Sequence, residues 1–338
     1  MIVHNGVRYF SGIVSQVLFM ASYNFRLGLL FISIAVLSWG ALPVALKLSS
    51  AFIDPVTLTW FRFLIAFGVT LAWQCFTGQL SQFRQLTTSH WFKLALATVF
   101  SVLNYNTFTF SLDYLTPGQA QLNFQSAPFF LAFGGMLFFK EKLRPIQMMC
   151  FATLALGMMM FFHPYLDWST MSQNDGLWLG ILIIHFSALS WTCYSLIQKS
   201  LFSQLSANNI LLFIYGFGLM LMLPFSELSH FAQMQQFDWL IAFYCALNTI
   251  LGYGCFAQAM KYWPMSQLGP MISLTPIITF SSTALVVSQG WWPQVFQSDD
   301  LDGLMLAGVS LVILSVVGIQ WFPRLQDQWR NKRPSKLA

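Results

Sequence analysis

Long apolar runs follow one another along the chain, and each is bounded by charged residues or by clusters of Pro and Gly. Such runs predict membrane-spanning helices, because about 20 helical residues cross about 30 Å of hydrocarbon. The pattern predicts ten spans in two sets of five. The first set is Leu27–Leu48, Val56–Thr77, Trp91–Leu112, Pro117–Phe139 and Pro145–Phe162, and the second is Gly176–Lys199, Asn208–Phe225, Trp239–Met260, Pro264–Ser288 and Leu301–Phe322.

The spans divide the chain into two large domains with connecting and terminal segments. Residues 27–162 and 176–322 contain five predicted spans each, residues 163–175 form an external linker, and residues 323–338 form a cytoplasmic basic tail. Residues 1–26 form a cytoplasmic N-terminal segment whose apolar part, Gly12–Ala21, is too short to span. Either this part lies along the membrane surface as an anchor, or translation begins at Met20.

Composition supports the same fold class. Of 338 residues, 57% are hydrophobic and only 8% are charged, whereas soluble domains carry about 25% charged residues. A soluble globular protein is therefore excluded, and we predict an all-α polytopic membrane protein. The cysteines lie in apolar runs without a CxxC pair, and no GxxxxGK[ST] motif occurs. We expect no disulfide framework, no metal site, no cofactor and no ATP-driven transport by this chain alone.

The positions of the charges predict the orientation in the membrane. With a cytoplasmic N-terminus, Lys47 is the one basic residue on the outer side, Arg62 lies within a span, and every other Lys and Arg is on the inner side. Most acids then lie outside, among them the cluster Asp299–Asp302. Because Lys and Arg favour cytoplasmic loops, both termini are predicted to be cytoplasmic, in a bacterial inner membrane. The net charge of +5 therefore follows from topology and does not indicate nucleic-acid binding.

The two halves of the sequence resemble each other. Leu37-Ser38-Trp39 and Lys47 recur 152 positions later as Leu189-Ser190-Trp191 and Lys199, without a gap. A repeat with an odd number of spans must enter the membrane from the opposite side in its second copy. Such inverted repeats predict a substrate site near the midplane, where the halves meet.

The halves are similar to two EamA-type repeats of the drug/metabolite transporter superfamily, over residues 27–322. The supporting stretches are Leu37-Ser38-Trp39-Gly40 with Lys47, Pro55 with Phe61-Arg62-Phe63-Leu64-Ile65-Ala66, Tyr114-Leu115-Thr116-Pro117 before Ala127-Pro128, Lys140-Glu141-Lys142-Leu143, Gly157, Leu274-Thr275-Pro276, and Gly303 to Gly318. The second copy departs where Ile214 matches Arg62 and Gln289 matches Glu141. The resemblance implies a ten-helix transporter, usually an exporter of small metabolites.

Candidate site residues are aromatic or carry amides. Trp39 and Trp191 lie near the middle of the first and sixth spans, whereas membrane Trp usually lies at the interface. They favour aromatic walls around a cavity with the substrate between them, or else packing beside residues such as Gly40. Amides facing lipid would be costly, so they predict a polar, uncharged site, or else hydrogen bonds between helices. The candidate substrate-binding residues are Trp39, Asn104, Gln121, Gln125, Trp191, Tyr194, Asn248 and Gln258.

Three further residues and three prolines suggest particular roles. Arg62 either binds a substrate carboxylate or forms an ion pair with Asp54 or Asp113. His185 either takes part in proton movement or is a neutral, hydrogen-bonded core residue. Glu141 is expected to stabilise the N-terminus of the fifth helix. Three prolines interrupt spans and are candidate hinges or ligand-facing kinks, or else packing kinks: Pro43, Pro128 and Pro276.

The sequence thus predicts a secondary transporter in the lipid bilayer that moves small amphipathic metabolites, amino acids or related compounds outward by alternating access. The competing classes are an intramembrane enzyme and a membrane sensor. The enzyme is disfavoured because HExxH, GxSxG and a deep acid/base pair are absent from the sequence. The sensor is disfavoured because a soluble signalling domain is absent too.

Overall fold

Every regular element in the described part of the chain is helical. The computed structural model describes the backbone of residues 3–163, 175–296 and 302–332, and the side chains of residues 25–163, 176–296 and 302–322. The helices are α1 (Val3–Ser49), α2 (Pro55–Thr77), α3 (Thr88–Ser111), α4 (Pro117–Asn123), α5 (Ser126–Phe139), α6 (Pro145–Phe161), α7 (Asp175–Ser200), α8 (Ala207–Met222), α9 (His230–Gln233), α10 (Gln236–Asn248), α11 (Gly254–Tyr262), α12 (Met265–Ile272), α13 (Thr275–Ser288) and α14 (Gly303–Lys332).

Among the described residues, eight segments are long and apolar enough to cross a membrane, and α6 is a shorter apolar helix. The eight are Phe25–Ser49, Pro55–Thr77, Pro117–Phe139, Gly176–Ser200, Ala207–Phe225, Gln236–Tyr262, Met265–Ser288 and Gly303–Phe322. α3 has 24 residues but is not among them, because its Asn and Thr residues lower its mean hydropathy. The protein is therefore an all-helical, polytopic membrane protein.

Some predicted segments extend beyond the described residues. The backbone of the N-terminal segment is helical from Val3 and continues without a break into the first span. The predicted linker after residue 163, most of the cluster Asp299–Asp302 and the side chains of the basic tail lie outside the described part of the chain.

Polar residues fix the starts of several spans. Asp54 accepts hydrogen bonds from the backbone N–H groups of Val56 and Thr57 at 2.9 and 3.0 Å, and Pro55 occupies the first turn of α2. Thr116 caps α4 through the N–H of Gln119. These caps supply acceptors for N–H groups that a helix leaves unpaired at its start.

The segments predicted as the fourth and ninth spans are each broken into two half-helices. α4 ends at Asn123 and α5 begins at Ser126, while α12 ends at Ile272 and α13 begins at Thr275. Pro128 and Pro276 lie in the first turns of the second half-helices, where a missing N–H costs little. The predicted interruption at these two prolines is confirmed.

Pro43 behaves differently, because α1 continues through it. Two carbonyls near the proline accept hydrogen bonds from neighbouring helices: Thr279 Oγ1 donates to Gly40 O, and Asn248 Nδ2 donates to Ser38 O, both at 2.6 Å. In a membrane, such donors allow a helix to tolerate proline. The prediction that Pro43 interrupts its span is wrong.

The helices pack in a pattern that has the same form in both halves. α1 packs against α10, α11 and α13, and α7 packs against α3 and α5. In the sequence repeat, α7 corresponds to α1, α3 to α10–α11, and α5 to α13. Two more pairs, α2 with α8 and α6 with α14, join corresponding helices of the two halves.

Glu141 ties the halves together at one end of the bundle. Its carboxylate accepts hydrogen bonds from Met265 N and Ser266 N, both at 2.9 Å, at the start of α12. Lys199 Nζ lies 3.4 Å from Glu141 Oε1 and donates to Trp263 O at 3.1 Å. We call this group of contacts the Glu141 clasp.

The expectation that Glu141 stabilises the fifth span is wrong. α5 ends at Lys140 in the left-handed conformation, with φ 54°. The chain therefore folds back, and Glu141 N donates to Gly135 O at 3.2 Å. This turn directs the carboxylate to the N-terminus of α12 instead of α6, with the same benefit from the helix dipole.

Candidate functional site

A small cavity lies within the bundle, beside the break of the fourth span. Its free volume is about 50 Å³, room for a few water molecules. Its lining comes from both halves: Trp39, Leu42, Leu46, Arg62, Asn104, Tyr105, Phe108, Thr109, Gln121, Phe124, Trp191, Tyr253, Ile272 and Thr275.

Trp39 and Trp191 both line this cavity, and they touch each other. Their ring centroids are 5.8 Å apart at 89°, an edge-to-face contact. The prediction that a substrate lies between them does not fit this structure, because no space separates the rings. They form one shared aromatic wall, which Phe256 supports from behind at 5.1 Å from each ring.

The ring of Trp39 rests against Gly252, so the alternative of packing beside a small residue occurs, with Gly252 in the place expected for Gly40. A Cβ at Gly252 would come within 2.5 Å of Trp39 Nε1, whereas a Cβ at Gly40 would meet Ile278. The indole N–H of Trp39 has no hydrogen-bond partner among the described residues. Such an N–H usually finds a partner when buried, whereas this one rests against the backbone at Gly252.

Gln121 and Thr275 join the two broken spans across the cavity. Thr275 Oγ1 lies 3.2 Å from Gln121 Oε1, and both residues line the cavity. Gln125 is also buried but lies behind them, with Nε2 3.0 Å from Gln121 O and 3.5 Å from Thr275 Oγ1. Of these two predicted site residues, Gln121 lines the cavity, whereas Gln125 holds its neighbours in place.

Asn104 lines the cavity and is fixed from two sides. Its Nδ2 donates to Ser187 Oγ at 3.0 Å, and its Oδ1 accepts from Tyr253 OH at 3.1 Å. The amide therefore orients the Tyr253 ring, which stacks on Tyr105 at 4.6 Å. Asn104 therefore lines the cavity and also holds its neighbours in place.

The other predicted site residues do not line the cavity. Asn248 bonds the backbone of α1, as described above. Tyr194 is fully buried, and its O–H is without a partner among the described residues. Gln258 donates to Asn208 Oδ1 at 3.0 Å, in a contact between α11 and α8.

Arg62 lines the cavity and is only 2% exposed. Its Nε donates to Thr249 Oγ1 at 2.9 Å, and its guanidinium carbon lies 4.6 Å from the centre of the Tyr105 ring. Among the described acids, none lies within 4.0 Å of it. The predicted ion pair with Asp54 or Asp113 is therefore not formed.

His185 lies on an exposed face of α7, where its Nδ1 is 2.8 Å from Ile181 O. The alternative of a core residue is therefore wrong, and a part in proton movement stays a prediction. Helix geometry explains the position, because six residues separate His185 from Trp191 and turn it to a different face by about 120°.

Irregular backbone brings further residues to the cavity. Tyr253, which lines it, and Thr249, which accepts from Arg62, belong to a π-helical turn, Thr249–Tyr253, between α10 and α11. Such turns add one residue per turn, shift the helical face and often occur at functional sites. Phe124 belongs to the break between α4 and α5. The detectable signal was Pro128, which marks that break a few residues later.

Comparison with known proteins identifies the family. The profile of the EamA-like transporter family matches residues 26–163 and 178–321. The chain belongs to the EamA-like transporter family. The resemblance inferred from the sequence is thus confirmed.

Named relatives agree with the family assignment. The Escherichia coli K12 protein named "Uncharacterized inner membrane transporter YhbE" is 31% identical over 292 residues, 85% of this chain and 89% of that protein. A Salmonella typhimurium protein named "Probable amino-acid metabolite efflux pump" is 23% identical over 208 residues, 58% of this chain and 64% of that protein.

One solved crystal structure supports the fold. It matches with a TM-score of 0.64 at 18% identity, covering 88% of this chain and 98% of the other. An identity this low supports the fold alone. Together with the apolar helices, the family and the relatives make this EamA-family protein a multi-pass inner membrane transporter in a lipid bilayer.

Proposed function

We propose that this EamA-family protein exports small metabolites across the inner membrane by alternating access. The observation that carries the proposal is the position of the cavity, where the two broken spans meet. Discontinuous helices in corresponding positions of two halves are the usual location of a transporter's substrate site. Gln121 of the fourth span and Thr275 of the ninth face each other there.

The architecture proposed is ten helices in two inverted five-helix repeats, residues 27–162 and 176–322. The matching helix contacts of the two halves support it, with α3 and α6 as the third and fifth spans. The lysine contacts support it too. Lys47 Nζ donates to Leu112 O after α3, and Lys199 Nζ donates to Trp263 O after α11.

The proposed orientation has both termini in the cytoplasm. The cavity then extends from Trp39 and Trp191 toward the outer ends of α1 and α3, through Leu46 and Thr109. The Glu141 clasp lies on the inner side and closes that end. In this state, the transport path is narrow around the site, and the Glu141 clasp closes it on the inner side.

The proposed substrates are small amphipathic metabolites, such as amino acids or related compounds. The name of the Salmonella relative supports this class and the outward direction. The cavity supports it through its chemistry, because apolar rings lie beside amide and hydroxyl groups. Trp39, Trp191, Asn104 and Gln121 are proposed to contact the substrate directly.

The other proposed site residues act at a distance from the cavity. Gln125 and Asn248 hold the helices that carry the direct contacts. Tyr194 is buried, and Gln258 bonds α8; both are proposed to face the substrate when the path opens inward.

The test is transport by purified protein in liposomes preloaded with radiolabelled amino acids. We expect efflux of at least one substrate, reduced about fivefold or more by Trp191→Ala, because the lost aromatic contact is worth about 1 kcal/mol or more. Trp321→Ala is the matched control, since Trp321 is 59% exposed. No flux above protein-free liposomes, or equal loss in both variants, would contradict the proposal.

A further inference from the structure

We propose that Arg62 binds a carboxylate and that the substrates of this transporter are organic anions with a planar apolar body. This inference rests on the proposed export function and narrows its substrate class. In this proposal, the buried cation binds the carboxylate, the aromatic wall contacts the planar body, and uncharged polar groups bind the remaining polar atoms of the same ligand.

The first step is the uncompensated charge of Arg62. A buried ion loses several kcal/mol of hydration, and proteins normally return this through a counter-ion. Arg62 instead has one hydroxyl, Thr249 Oγ1, and the face of Tyr105. Its guanidinium carries five N–H donors, of which the described residues accept one, from Nε. The remaining fork fits a carboxylate.

The second step is that the nearby acids are engaged elsewhere. Asp54 caps α2 and lies 3.4 Å from His230, and Glu141 forms its clasp. Asp113 is exposed, interacts electrostatically with Lys47 and forms no ion pair with Arg62. None of the residues that line the cavity is acidic. The counter-ion must therefore come from outside the described part of the chain, as a ligand would.

The two halves of the chain differ at the position of Arg62. The residue that corresponds to Arg62 in the second half is Ile214, which is fully buried. A charge required by the fold of the repeat would be expected in both copies. Its presence in one copy only, and facing the cavity, indicates a role in substrate selection.

The rest of the cavity defines the other parts of the ligand. The Trp39–Trp191 wall and Phe124 offer apolar and edge surfaces to a planar group. Gln121 and Thr275 offer hydrogen bonds without charge. A cationic substrate would meet Arg62 and no acidic lining residue, so the site favours anions over cations.

The experiment measures binding to purified, monodisperse protein by calorimetry. The probes are benzoate, phenylacetate and indole-3-acetate, each paired with its primary amide, which keeps the shape and removes the charge. We expect at least one acid to bind ten- to a hundredfold more tightly than its amide. Arg62→Gln should abolish this preference, and Arg62→Lys should retain part of it, because it keeps the charge without the fork.

The matched control is Arg84→Gln, which removes an exposed arginine and should leave every affinity unchanged. A second readout separates binding from a structural role. Without ligand, Arg62→Gln should unfold at or above the temperature of the wild type, because it removes an unneutralised buried charge. If Arg62→Gln is not monodisperse, Thr249→Val replaces it, and a severalfold loss of acid affinity without loss of amide affinity is expected.

Three results would overturn the inference: no acid binds, amides bind as tightly as acids, or Arg62→Gln keeps the preference for acids. Liposome flux distinguishes a wrong carboxylate site from a wrong export function. Metabolite flux that is unchanged in Arg62→Gln would reject the carboxylate site and leave transport standing. Absence of flux for every compound in the wild type would reject transport itself.

Discussion

At the scale of single residues, the cavity depends on one close contact. Trp39 can lie where it does because Gly252 has no side chain, and a Cβ there would approach Trp39 Nε1 to 2.5 Å and Cδ1 to 2.8 Å. Gly252 belongs to the π-helical turn that also supplies Thr249 and Tyr253. The irregular turn and the aromatic wall therefore depend on each other.

Gly252→Ala should push the Trp39 indole toward the cavity. Overpacking of this kind costs about 1–3 kcal/mol, so the unfolding temperature in detergent and the affinity for any transported substrate should both fall. Gly254→Ala is the matched control, since a Cβ there meets nothing within 4 Å, and alanine is the better helix former. Equal effects of the two substitutions would show that Trp39 does not require this contact.

The sequence predicts part of the site well. Mid-span tryptophans are unusual enough to identify Trp39 and Trp191, and a lone intramembrane arginine identifies Arg62. The contact of Thr249 with Arg62 was not predictable, because it depends on how α2 packs against the π-helical turn. The spacing of six residues between His185 and Trp191 already indicates that the two side chains lie on different faces of α7.

At the scale of helices and loops, the Glu141 clasp is the contact that local rules could not predict. Its partners, Met265 and Ser266, lie more than a hundred residues away along the chain. Capping rules assign a carboxylate to the nearest helix start, here α6, and do not rank a distant one. The prolines at the two broken spans, in contrast, act on their own helix and could be interpreted from the sequence.

Glu141→Ala should weaken the closed inner end. It leaves the first N–H groups of α12 without acceptors and leaves Lys199, whose side chain is 17% exposed, without its counter-ion. A lost cap together with a broken, largely buried pair should cost about 2 kcal/mol or more, measured by thermal unfolding in detergent. Glu227→Gln, at a side chain that is 71% exposed, should change the unfolding temperature little. A wild-type unfolding temperature for Glu141→Ala would contradict the role of the clasp.

At the scale of the whole molecule, the number and order of apolar segments follow from the physics of the bilayer. In hydrocarbon, backbone N–H and C=O groups must pair within the protein, so a long apolar run folds as a helix. The path of transport does not follow from such rules, because it depends on which helix faces meet. Only the packed structure brings residues of α1, α2, α3, α7 and the broken spans around one cavity.

The central claim is that this one cavity opens alternately to each side of the membrane. Leu42 is 7% exposed and lines the cavity, so Leu42→Cys in a chain without the native cysteines reports access. We predict that an impermeant thiol reagent labels it from the outside in intact cells and from the inside in inverted vesicles. Val312→Cys, buried between α6 and α14, should remain unlabelled from both. Labelling of Leu42→Cys from one side only, with and without transported substrate, would contradict alternating access through this cavity.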